Sequence, residues 1–136
     1  MKSIVVGVDG SDTAVKAANA AAELASAFGA GLHVVSAVPK KKSAKAGKGV
    51  VFTSVDHAED ALADVASRLR TKVPTLTTAI VKGKPAKVLV AEAKRVDADL
   101  IVVGNRRMKG AKRLLGAVAE DVAHNAPCDV YIVCTT

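Results

Sequence analysis

Short runs of consecutive apolar residues alternate along the chain with longer stretches in which apolar residues return every three or four positions. The first run, Ile4-Val5-Val6-Gly7-Val8, is β-branched and apolar at neighbouring positions, the pattern of a strand covered on both faces. It breaks at Asp9-Gly10-Ser11-Asp12, a turn cluster in which Ser11 can cap a helix. Ala14, Ala17, Ala18, Ala21, Ala25 and Phe28 then mark one face of a long helix, ended by Gly29 and Gly31. Residues 32–38 predict a second strand. Pro39 to Gly49 carries Lys40, Lys41, Lys42, Lys45 and Lys48 among small residues, so it can bury nothing and predicts a mobile, solvated loop.

A second helix is predicted to open near Thr53-Ser54, where Thr53 and Asp56 have capping-box spacing. Its apolar face is Val55, Ala58, Leu62, Val65 and Leu69, with acidic residues crowding its start and basic residues its end. Residues 75–82 predict a third strand, and Gly83-Lys84-Pro85 leads into a helix with proline at its first position. That helix carries Val88, Leu89 and Val96 inward. Asp99 to Gly104 predicts a fourth buried strand, about 116–124 a short helix stopped by Pro127, and Val130 to Val133 a fifth strand. Strands alternating with helices at this spacing mean an α/β fold, an open five-stranded parallel sheet with helices on both faces. Right-handed crossovers leave few topologies, and the order 3-2-1-4-5 is expected, with the switch between strands one and four. Ligands bind such sheets beyond the carboxyl ends of the strands at the switch, here Asp9 to Ser11 and Gly104 onward.

The 136 residues amount to one domain, 1–136, with a flexible lysine-rich loop at about 39–53. No apolar stretch approaches the roughly 18 residues of a membrane span. The start has no secretory pattern, and Cys128 and Cys134 have no metal or dithiol spacing, so a cytoplasmic protein is expected. Twenty basic against thirteen acidic residues give a net charge of +7 and suggest an anionic partner. Aromatics are only 2%, too few for a base-stacking platform, and no recognition helix accompanies the lysines. Non-specific attraction to nucleic acid is all that this charge supports.

The segment from Gly104 through Gly110 to Gly116 holds three glycines between a strand and a helix, with Arg106, Arg107, Lys109, Lys112 and Arg113 around them. Free amides at a helix start attract phosphate, and glycine lets the backbone come close. The same residues also fit turn-shaping glycines and a solvated basic face. Signatures of a Walker loop, a dinucleotide turn, a nucleophile elbow and a zinc protease helix are all missing. Strand three ends at Lys82 where a response regulator would need aspartate, and His33, His57 and His124 are expected to be structural or solvated. No catalytic residue is expected.

Val6 to Ser11, Gly83-Lys84-Pro85, Asp99 to Gly104 followed by Gly116, and His124 to Val130 together resemble the universal stress protein family over about residues 2–134. The resemblance implies a Rossmann-like, adenine nucleotide alpha hydrolase-like domain that binds ATP or another adenine nucleotide, with magnesium a further candidate. It places Val8 and Asp9 near the adenosine sugar and Ala37 near the adenine. Val103 and Gly104 would admit the ribose and phosphates, Arg107 and Gly110 would lie in the phosphate loop, and the amides of Gly116, Ala117 and Val118 would bind phosphate oxygens. Asp9 alone could approach a metal. Arg107 stands where ATP-binding members carry a second glycine, and Ala117 where they carry a hydroxyl. A guanidinium at 107 would either reach the phosphates or occupy their space. If the loop is degenerate, a nucleotide-free dimeric interaction module is the alternative. The resemblance also implies a homodimer through the last strand, by Val130, Tyr131, Ile132 and Val133, with Tyr131 either at that contact or inside the monomer. At most weak ATP hydrolysis is implied, and no specific nucleic acid or membrane partner.

Overall fold

The computed structural model describes residues 1–40, 55–106 and 115–135. The lysines from Lys41 to Lys48, the Thr53–Asp56 capping pattern and residues 107–114, including Arg107 and Gly110, lie outside what it describes. Its elements are β1 (Ser3–Gly7), α1 (Asp12–Phe28), β2 (Gly31–Val38), α2 (Val55–Leu69), β3 (Leu76–Lys82), α3 (Pro85–Arg95), β4 (Leu100–Asn105), α4 (Ala117–Asn125) and β5 (Asp129–Cys134). The five strands form one sheet in the order β3-β2-β1-β4-β5, and every pairing is parallel. This is the expected architecture, with the switch between β1 and β4. Strand ends differ from the expected ones by at most one residue.

Alternation along each buried strand sends side chains to both faces. Ile4, Val6, Leu32, Val34 and Val102 pack under α1 and α2, while Val5, Val35, Ile101 and Val103 pack with α3 and α4 residues such as Val88, Leu89 and Val122. Six alanines, Ala14, Ala17, Ala18, Ala21, Ala22 and Ala25, form the buried side of α1. Small side chains let this helix lie close to the sheet, which leaves no depth for a large ring. Phe28 therefore departs from the expected face and is 57% exposed. Tyr131 is also exposed, at 42%, on the edge strand β5, where Val130, Ile132 and Val133 are half-buried. Among the described residues no helix is long and apolar enough to cross a membrane.

Both termini of α1 follow from their residues. Ser11 is extended, its Oγ accepts the Ala14 N–H at 3.2 Å, and Gly29 closes the helix in the left-handed region at φ 66°. Pro85 occupies the first turn of α3, and Gly116 is the N-cap of α4. Asp99 lies just before β4, where its Oδ2 accepts the N–H groups of Lys2 (2.7 Å) and Ser3 (3.1 Å). Those bonds hold its carboxyl below the usual range and tie the start of β1 to the start of β4.

Candidate functional site

At the carboxyl end of β1 the chain turns through Val8, Asp9, Gly10 and Ser11. The Val8 N–H donates to the Val35 carbonyl at 2.8 Å, and its own carbonyl accepts the buried Ser36 hydroxyl at 3.0 Å. Both backbone groups of Val8 are thus engaged, and the residue lines the cleft described next. Asp9 is exposed, and its Oδ1 accepts both the Ser11 N–H (2.9 Å) and the Ser11 hydroxyl (2.5 Å), so Oδ2 takes no part in this pairing. Gly10 sits at φ 84°, a conformation that a side chain resists, so the turn favours glycine there.

Beyond this turn lies a cleft of about 260 Å³. From β2 and α3 it takes an aliphatic wall of Val35, Ala37, Pro85, Val88 and Leu89. From β4, α1 and α4 it takes Val103, Gly104, Thr13 and Val118. Of the sequence-predicted residues, Val8, Asp9, Ala37, Val103, Gly104 and Val118 line this one cleft; Gly116 and Ala117, just before Val118 at the start of α4, are not among its lining residues. A larger hollow of about 460 Å³ lies between α2 and β3, lined by Leu62, Ala66 and Ile80 with Glu59 and Arg70. It is more open to solvent and lies away from the switch, so size does not favour it as the site.

Gly104 is needed for packing as well as for access. A Cβ there would stand 2.8 Å from Thr13 Cγ2 and 2.9 Å from the Thr13 carbonyl oxygen. The next residue, Asn105, is 3% exposed, and its Oδ1 accepts the Gly116 N–H at 2.9 Å. The expected trio of phosphate-facing amides is therefore altered, because the Gly116 amide is already engaged. The Gly116 carbonyl accepts from Glu120, so the N–H groups of Ala117, Val118 and Ala119 precede the first helical bond of α4. Of the three, Val118 lines the cleft, so the positive end of the α4 dipole lies at its border. Sequence reading passed over Asn105, Ser36 and Thr13. A polar residue closing an apolar strand was the one available signal for Asn105.

Among the described residues no three His, Cys, Asp or Glu side chains gather as a metal site. Asp9 offers one carboxylate, half of it engaged by Ser11, so a cation here would need phosphate oxygens for most of its ligands. The histidines lie elsewhere. His33 is buried, with Nδ1 2.6 Å from Thr77 Oγ1 and Nε2 3.7 Å from Glu92 Oε2, whose carboxylate also receives Arg95 Nε at 2.6 Å. Burial pushes the His33 imidazole below its ordinary value, against the upward pull of Glu92. His57 and His124 are exposed on α2 and α4.

The universal stress protein family profile matches residues 1–133. A universal stress protein of Mycobacterium tuberculosis is 35% identical, the match covering 99% of this chain and 97% of that protein. One from Methanocaldococcus jannaschii is 33% identical over 97% of this chain and 81% of its own. Among solved structures, a universal stress protein in complex with cAMP superposes with a TM-score of 0.78 at 32% identity, covering 99% of this chain and 98% of that one. A universal stress protein from Archaeoglobus fulgidus in complex with dAMP gives 0.76 at 28% identity, with 98% of each chain covered. Shared sequence along nearly the whole chain and a shared fold agree: the chain belongs to the universal stress protein family.

Proposed function

We propose that this chain binds ATP or a related adenine nucleotide in the cleft between β1 and β4 and acts as a regulatory module in a cytoplasmic stress response. One observation carries the reading. At the switch of a parallel sheet, one cleft is lined by an aliphatic slot and by Val118 in the first turn of α4, where backbone amides lack helical partners. The slot suits a purine and the amides suit phosphate. Adenine would be held by Val8, Ala37, Val88 and Leu89 through aliphatic contact, since no aromatic side chain among the described residues lines the cleft. The relatives solved with cAMP and dAMP support an adenine nucleotide as the ligand class. Ala117 supplies an amide but no hydroxyl, which removes about 1–2 kcal/mol of bonding to a phosphate. Magnesium, if used, would arrive with the phosphates and meet Asp9.

A second reading keeps the fold and drops the ligand. It is favoured by the Gly116 amide, spent on Asn105, and by the Ala117 methyl group where a hydroxyl would serve. In both readings the second partner is another copy of the chain, paired along β5 through Val130, Tyr131, Ile132 and Val133. The unpaired apolar edge and the exposed Tyr131 support that arrangement.

The readings separate cleanly. Heat-denature the purified protein, chromatograph the supernatant, then titrate refolded or stripped protein with ATP, AMP and cAMP by calorimetry. Nucleotide binding predicts a released adenine nucleotide or saturable heat with at least one of the three. Neither release nor heat at millimolar ligand favours the ligand-free module.

A further inference from the structure

β4 leaves the sheet through two polar residues that bond to opposite faces. Asn105 reaches the start of α4, as described above. Arg106 reaches the start of α1, where its Nε donates to Thr13 Oγ1 at 2.7 Å. Thr13 and Gly104 both line the cleft, so this bond sets the guanidinium beside a lining residue, two positions along the chain from Gly104. A guanidinium has five N–H donors in a fixed plane. The Thr13 bond uses only the one on Nε. The four on the terminal nitrogens make no hydrogen bond or ion pair with any described residue.

The surrounding charge makes this cation consequential. Asp9 and Asp12 are both exposed beside the same turn, and neither pairs with Arg106 among the described residues. An anion entering the cleft would meet these carboxylates, and the amides of α4 supply only partial charges against them. Arg106 is a full positive charge, tethered at Nε by a bond that leaves its terminal nitrogens without a partner among the described residues. That geometry matches two oxygens of one phosphate group, which lysine or a lone hydroxyl cannot match. Thr13 accepts from Arg106 with a lone pair, so its own hydroxyl proton remains for a further acceptor.

We propose that Arg106, positioned by Thr13, is a phosphate ligand of this site. It takes over the donor role that Ala117 lacks and makes the cleft select phosphorylated nucleosides over free ones. The proposal rests on the nucleotide reading and adds a residue and a selectivity to it. The competing role is a plain latch between β4 and α1. A latch would affect every ligand alike, because it shapes the whole cleft.

The test is a calorimetric titration of wild type, Arg106→Gln and Thr13→Val with adenosine, AMP and ATP, at low salt and without magnesium. Arg106→Gln should weaken AMP and ATP by about 10- to 100-fold and leave adenosine within about twofold. Thr13→Val keeps the side-chain shape but releases the guanidinium, so it should weaken AMP and ATP by about 3- to 10-fold with adenosine unchanged. Equal losses for all three ligands would establish the latch and overturn the proposal. Unchanged AMP and ATP affinity in Arg106→Gln would also overturn it, while leaving the nucleotide site standing. Wild type that binds none of the three ligands would remove both this proposal and the reading beneath it.

Discussion

At Gly104 the backbone of β4 passes so close to α1 that a methyl group has no place. Gly104→Ala sets a Cβ against the Thr13 side chain and carbonyl oxygen, and the backbone oxygen cannot rotate away. The substitution should cost about 1–3 kcal/mol, read as a lower urea midpoint at unchanged slope. A change below about 0.5 kcal/mol would contradict the packing argument. Asn105→Ala leaves the Gly116 N–H without its acceptor and should cost about 1–2 kcal/mol in the same measurement. Both roles show how far single residues could be read from sequence. Glycine at 104 was legible as a residue that admits something close. That the close object is also Thr13 was not legible, since the two residues meet only once the sheet is assembled. Asn105 and Ser36 were missed for the same reason, because each bonds to a backbone group brought near by topology.

Elements were more legible than residues, because their signals are local. Ser11 capping α1, Pro85 in the first turn of α3 and Gly116 before α4 are each written within a few positions of the feature they produce. Where expectation and structure part, a long-range contact decided the outcome. Phe28 has helical spacing but lies on a helix seated too close to the sheet for its ring. Asp99 was expected within the fourth strand but precedes it, its carboxylate holding the start of β1. The bonds among β2, β3 and α3 around His33 were equally hidden, although they predict a measurable pH dependence. His33 is depressed in the folded state, so it favours folding when neutral. Its contribution is present above its ordinary value of 6.5 and is lost as pH falls below that toward the folded value. His33→Asn should therefore flatten the stability profile from pH 6.5 downward, relative to wild type. Parallel profiles for the two proteins would contradict this assignment. Asp99 acts in a more acid range, below about pH 4, where protonation removes the charge that strengthens its bonds from Lys2 and Ser3.

For the whole molecule, strand order and switch were legible because continuous β-branched runs, intervening helices and the handedness of crossovers allow few arrangements. The edge positions of β3 and β5 follow from that order, and with them the proposed pairing of two copies. Tyr131→Asp should shift the mass in sedimentation equilibrium from twice 13.9 kDa to 13.9 kDa while leaving the circular dichroism spectrum unchanged. An unshifted mass, or a monomeric wild type, would refute pairing along β5. The net charge of +7 first suggested an anionic partner of any size. Arg106, bonded to a residue that lines the cleft, gives one part of that charge a defined place, and the proposal above gives it a small anion to meet. The central claim is that the cleft at the β1/β4 switch is the nucleotide site. Its most direct test is a backbone amide NMR titration with AMP. The account predicts saturable shifts at Asp9 to Thr13, Ala37, Gly104 to Arg106, and Ala117 to Ala119, with the hollow lined by Leu62, Ala66 and Ile80 unmoved. No shifts at millimolar AMP, or shifts confined to that hollow, would contradict it.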